Sequence, residues 1–297
     1  MTGFLSALGS RLAERWVSLL AIPGLLYTAA ALVAATYGWW QVGIVGLLDR
    51  QARARLSESG VTPSLRNAML TALLVAGILL VTAGAGLLAR AIAVPVELVC
   101  CGAWPRWARP LARHLTKRRG RRWTEAHERV LAAPDEGDGS LRAELAAARN
   151  AIALVPPSCP TWTGDRLQAA EVRVRNEYGL DLASCWPRLW LVVPDTVRDA
   201  VSTGRDGFAS AVLTGAWAVM YLALALLWWP VAAIALTTGL VSWWRLRTTA
   251  AALAELAESV VDVHAIDLAA ALRIDTPHDR VTPDVGHLIT ERLRKGT

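Results

Sequence analysis

The sequence predicts an all-α integral membrane protein: two transmembrane helical hairpins, a helical cytosolic region between them and a helical cytosolic tail. Three observations carry that expectation: uncharged runs long enough to cross a bilayer, tryptophan pairs at their ends, and an arginine-rich stretch between them. The 297 residues are 54% hydrophobic and 19% charged. Soluble domains average about 45–50% apolar and about 25% charged, and here the surplus is concentrated in blocks. The expected organisation is a first hairpin within 1–103, a basic cytosolic region over 104–206, a second hairpin over 207–244 and a tail over 245–297.

The first block, Trp16 to Leu48, contains no charged residue. Its core, Trp16–Trp40, is long enough to cross about 30 Å of hydrocarbon at about 1.5 Å per residue. A cleaved signal peptide has an apolar core of about 7–15 residues, so a retained helix is expected, bent near Pro23-Gly24. The second span is Asn67–Ala89, where Gly77, Gly84 and Gly86 among alanines suit close helix–helix approach. Apolar character then runs past Arg90 and Glu97 to Trp104 and reads as an interfacial helix end. The third block, Gly207–Trp244, would be about 57 Å long as one straight helix, nearly twice the bilayer core. It must turn, and Trp228-Trp229-Pro230 is the place, since proline removes a backbone donor and clashes with the preceding turn. That leaves a full span, Gly207–Leu227, and a shorter one, Pro230–Trp244, whose course, crossing or re-entrant, stays open.

Of 14 tryptophans, pairs fall at 39–40, 228–229 and 243–244, each at the end of an expected span, where amphipathic indoles prefer the interface. The cations set the orientation. Arg106, Arg109, Arg113, Lys117, Arg118, Arg119, Arg121 and Arg122 follow one another with no intervening acid, and cations near span ends are retained in the cytoplasm. Arg245 and Arg247 agree, whereas four arginines within 49–66 dissent. The N-terminus, 104–206 and the tail are therefore expected in the cytosol. The same cluster suits anionic lipid headgroups, at about 1 kcal/mol per cation near the surface. Nucleic-acid binding lacks a recognisable module.

Between the hairpins, an acidic break at Asp135-Glu136-Gly137-Asp138-Gly139 precedes a helical pattern from Leu141 to about Leu154. Pro156, Pro157 and Pro160 force an extended segment. Thr163 is the expected cap of a helix over Gly164–Tyr178, with Gly179 ending it. Leu182–Val193 follows, and Asp195 caps a helix that continues into the third span. In the tail, apolar residues at 253, 256, 260, 263 and 266 predict a helix over Ala250–Leu272. Thr282-Pro283 opens a last one ending near Arg294.

No phosphate loop, metalloprotease motif, nucleophile elbow or kinase signature occurs, and no catalytic residue, metal site or cofactor is expected. Cys100, Cys101, Cys159 and Cys185 read as reduced structural thiols. Adjacent Cys100-Cys101 lacks partners at zinc-site spacing. His264 and Asp267 share a helix face and read as a structural hydrogen bond. Glu171, Arg173, Arg175 and Glu177 read as a solvated face. Apart from Arg90 the expected spans hold no acid or base, which argues against an ion-coupled transporter and leaves an apolar pore open.

The stretch PPSCPTWTGDRLQAAEVRVRNEYGLDLASCWPRLWLVVPD, with the opening RLAERWVSLLAIPGLLY and the tail ESVVDVHAIDLAAALRID, resembles an uncharacterised family of actinobacterial multi-pass, about four-helix membrane proteins. The likeness covers most of the chain, and an Arg, Ala, Gly, Leu and Val skew with only two lysines fits a GC-rich bacterial genome. The resemblance implies signature positions at Pro157, Pro160, Thr161, Gly164, Asp165, Arg166, Glu171, Asp181, Trp186, Pro187, Leu189, Trp190, Pro194 and His264, and it implies no activity. Pro157, Pro160, Thr161, Trp162, Gly164, Asp165, Arg166, Trp186, Pro187, Arg188 and Trp190 form a candidate interaction motif, because residues so restrictive suggest a docked segment. The expected function is non-enzymatic: cytosolic helices that bind a partner protein or assemble with copies of the chain at the lipid surface. The alternatives are an oligomeric ion-conducting pore, such as a membrane effector of a conflict or stress system, and an enzyme acting on lipid or cell-wall intermediates.

Overall fold

The computed structural model describes residues 22–37, 63–133, 140–277 and 280–294, and among them it contains helices and no strand. In chain order the helices are α1 (Ile22–Tyr37), α2 (Pro63–Cys100), α3 (Arg109–Ala132), α4 (Ser140–Ile152), α5 (Trp162–Tyr178), α6 (Leu182–Val192), α7 (Asp195–Ala225), α8 (Val231–Ala271) and α9 (Pro283–Arg294), with a 3₁₀ turn at Arg106–Ala108. Two stretches of helix, Ala68–Cys100 and Asp195–Ala225, are long and apolar enough to cross a membrane. They carry the second and third expected spans. Ile22–Ala35 is a shorter apolar helix, and the rest of the first expected span lies outside the described residues, as does the acidic break over 135–139.

The helix boundaries depart from expectation at three places. The second span does not stop at Ala89: α2 runs through Arg90, Pro95 and Glu97 to Cys100. Arg90 and Glu97 are both on its exposed surface. The helix ends where Gly102 takes a left-handed φ of 87°, and the Ala103 N–H donates back to the Leu98 carbonyl at 2.8 Å, the wrap that closes many helix C-termini. The fourth apolar stretch and the tail helix are one element, α8, because nothing between Trp244 and Ala250 breaks a helix. The cap of α5 is Thr161 rather than Thr163: the Gly164 N–H donates to Thr161 Oγ1 at 3.2 Å, and Thr163 lies buried inside the helix. Between α7 and α8 the chain turns over Leu226–Pro230.

The chain divides into two compact units, Met1–Val96 with Val212–Trp243, and Glu97–Ala211 with Trp244–Thr297. The first has a core of Ala34, Ala85, Ala89, Trp217, Met220, Tyr221, Leu224, Val231 and Ala235. The Tyr27 ring lies 5.5 Å from that of Tyr221 and 6.1 Å from that of Trp217, within the range of favourable aromatic pairs. Its polar contacts include Thr28 Oγ1 donating to the Gly24 carbonyl at 2.7 Å and lying 3.3 Å from Thr82 Oγ1. Close backbone approach is made by Gly24, where a Cβ would sit 3.0 Å from the Thr82 carbonyl oxygen. Among the described residues nothing comes within 4 Å of a Cβ on Gly77 or Gly84, so the expected approach is not made there by any of them. Leu73, Leu74, Leu80, Leu87 and Leu226 are exposed.

The second unit buries Val174, Leu180, Cys185, Leu189, Val193, Val261, Leu268 and Ile289 in its core. Helices α5, α6 and α9 meet around Gly179 and Gly286. Gly179 terminates α5 with a φ of 67°, and a Cβ on Gly286 would fall 1.7 Å from the Tyr178 carbonyl oxygen. Only glycine lets α9 come this close.

Candidate functional site

The conformation of the 156–165 segment is set by one carboxylate. Asp165 opens the first turn of α5, where the helix dipole favours an anion, and its side chain is 2% exposed. Its Oδ1 accepts the backbone N–H groups of Ser158 at 2.9 Å and Cys159 at 2.7 Å. Its Oδ2 accepts Arg119 Nε at 3.1 Å and Nη2 at 2.8 Å. Arg119 also donates to the Ile152 carbonyl at 2.9 Å, and Trp123 Nε1 donates to the Ala153 carbonyl at 2.9 Å. Two side chains of α3 thus satisfy carbonyls left over at the end of α4, which a helix cannot satisfy itself. Thr161 serves two helices, because its hydroxyl caps α5 and donates to the Cys100 carbonyl at 2.6 Å. Beside it, a Cβ on Gly164 would stand 2.6 Å from the Cys101 carbonyl oxygen.

Arg119 is therefore separated from the basic cluster to which its sequence neighbours assign it. Leu115, Arg119 and Trp123 recur every four residues on one face of α3, and this spacing was the signal for an inward arginine. The remaining cations, Arg106, Arg109, Arg113, Lys117, Arg118, Arg121 and Arg122, are all exposed. Trp107, at the leading end of this surface, is 84% exposed.

The rest of the motif separates into scaffold and groove. Arg188 donates to the Ser184 carbonyl at 3.0 Å, while Trp162 receives the Arg247 guanidinium 4.3 Å from its ring centroid. Trp186, Pro187 and Trp190 line a groove of about 620 Å³, together with Leu167, Ala170, Glu171, Leu182, Ala183, Val201, Ser202, Arg205, Leu253, Ala254 and Ala257. Pro157 and Pro160 shape the extended segment, and Arg166 borders a smaller cavity with Trp162 and Asn150. The sequence pointed to the Trp-Pro-x-x-Trp wall. It gave no sign of Arg205 or the α8 wall, which come from far along the chain.

Elsewhere the titrating groups read as scaffold. Burial pushes the Cys101 and Cys185 thiols up to about 11, so neither is a ready nucleophile. The Ser184 hydroxyl, then the Arg294 guanidinium, hold Asp181 below its usual carboxylate range. Burial raises Glu258 despite the Arg173 guanidinium 2.9 Å away. His264 Nδ1 lies 2.7 Å from Asp267 Oδ2. Of the anticipated helix face, Arg175 pairs with Glu171 and Arg173 with Glu258. Among the described residues no three His, Cys, Asp or Glu side chains are arranged to hold a metal ion. No protein-family model, curated protein or solved structure matches the chain.

Proposed function

We propose that the chain is a non-enzymatic multi-pass membrane protein of the actinobacterial family it resembles, whose second unit is a binding platform at the cytosolic face. The observation that carries this reading is the use of the signature residues. Asp165, Thr161 and Gly164 are spent on holding backbone in place, while Trp186, Pro187 and Trp190 line an aromatic groove beside which, among the described residues, no reactive constellation stands. Catalysis requires nucleophile, base and stabilising donors to converge, whereas a binding site requires a concave apolar wall with a few placed polar groups. The exposed leucines of α2 support the lipid assignment, since only 22% of its most apolar window is buried within the chain and extended apolar surface marks a membrane or partner contact. The unneutralised cations of α3 support retention of that unit on the cytosolic side.

The test is sidedness. A protease site placed within 134–139 is expected to be cut in inverted vesicles and spared in intact cells. Cleavage in intact cells overturns the orientation.

A further inference from the structure

We infer that the Trp186–Trp190 groove binds a single-chain anionic amphiphile, an alkyl chain ending in a carboxylate, with Arg205 as the headgroup contact. The inference rests on the platform reading and names the ligand class of that site. The size suits one chain. At about 30 Å³ for each water-sized unit, a groove of about 620 Å³ holds on the order of 20 such units, which is one alkyl chain with its head rather than a two-chain lipid. The walls suit methylenes: Leu167, Trp186, Pro187, Trp190 and Leu253 offer apolar surface from α5, α6 and α8.

The charges select the head. Two charged residues line the groove, Glu171 and Arg205. Glu171 is already paired with Arg175. The Ser202 hydroxyl donates to the Arg198 carbonyl and can only accept. Arg205 is exposed and forms no ion pair among the described residues, so the uncompensated charge at the groove is positive. An arginine fork binds a carboxylate in bidentate fashion, and an apolar tail beyond it places the rest of the molecule against the two indoles. Arg205 precedes by two residues the uncharged run that begins at Gly207, the place along α7 where an amphiphile's head would be expected if that run enters lipid.

The experiment uses the full chain in nanodiscs of zwitterionic phospholipid, a hexadecanoate carrying a photoactivatable diazirine, and the matching alcohol. Cross-links are mapped by peptide mass spectrometry. Label is expected on the peptides that hold Trp186–Trp190 and Leu253–Ala257, with the acid favoured over the alcohol by about tenfold, the scale of one charge-assisted contact. Arg205→Gln should erase that preference, Arg205→Lys should keep most of it, and Ala183→Trp should fill the groove and abolish the label. Equal labelling by acid and alcohol, label unchanged by Arg205→Gln and Ala183→Trp, or equal labelling by a two-chain phosphatidate probe would overturn the assignment. An unlabelled groove in a chain still integrated in the nanodisc defeats the inference and leaves the platform reading standing; a chain that fails to integrate defeats both.

Discussion

The two units use the same secondary structure in opposite ways. In the first, the buried residues include Ala34, Ala85, Ala89 and a tyrosine–tryptophan cluster beside Met220, Leu224 and Val231, while the large aliphatic side chains Leu73, Leu74, Leu80 and Leu226 are exposed. In the second, leucine, isoleucine and valine are inside, and the polar groups are tied into a network around Asp165 and Asp181. Water makes the second arrangement favourable, because burying apolar area yields about 25 cal/mol per Å². It makes the first costly, whereas in hydrocarbon outward leucines cost nothing and close packing of small residues joins the helices. The difference teaches that helix content alone says little here; which face holds the leucines is what supports the proposal that the first unit meets lipid.

The sharpest way to break this comparison is to remove the carboxylate that organises only the second unit. Asp165→Ala leaves Arg119 and the Ser158 and Cys159 N–H groups without their acceptor. Removing one partner of a buried ion pair costs about 3–5 kcal/mol. Thermal unfolding should show the second unit melting early with new proteolytic cuts near 150–160, while the apolar helices stay with the membrane. A chain that loses membrane association as well would show the units are not independent in this respect.

A paired glycine substitution sharpens the contrast. Gly286→Ala, facing the Tyr178 carbonyl, should cost about 1–3 kcal/mol through backbone overpacking. Gly84→Ala, facing open space, should be neutral or stabilise by about 0.5–1 kcal/mol, as removing a mid-helix glycine does. Equal losses measured by chemical denaturation of the two variants would break the contrast.

Thr161→Ala should cost about 1 kcal/mol as a lost helix cap, read as a fall in unfolding midpoint, with Thr161→Ser restoring it. The smallest effect is one of pH. The donors around Asp181 lower its carboxyl in the folded state below the ordinary 3.8, so its contribution is fully present above that value. It is lost as pH falls through the lower folded value. Unfolding curves of the second unit should therefore lose stability with that profile on acidification, and Asp181→Asn should remove this component.

Much of this architecture was legible in the residues. The turn over Leu226–Pro230, the glycine end of α5 and the proline start of α9 follow from chain-local chemistry, because Pro and Gly act on their own backbone. What escaped was anything decided at a distance. Thr161 outcompetes Thr163 as a cap because its hydroxyl also reaches Cys100, a residue some sixty positions earlier. The continuity of α8 reflects the absence of a breaker, which two separate patterns had obscured. Of the groove, the Trp186–Trp190 wall was readable as a dense motif, whereas Arg205 and Leu253 reach it only through packing of α7 and α8, and no periodicity announces that.

We propose that the first unit lives in hydrocarbon and the second in water. The most direct measurement is cross-linking of the full chain, expressed in membranes and washed with alkaline carbonate, to a phospholipid carrying a photoreactive group deep in its acyl chain. Adducts should concentrate at the outward leucines of α2, Leu73, Leu80 and Leu87, and be missing from the core around Leu189 and Ile289. A folded chain recovered in the carbonate supernatant, with no acyl-chain adducts on α2, would contradict the account.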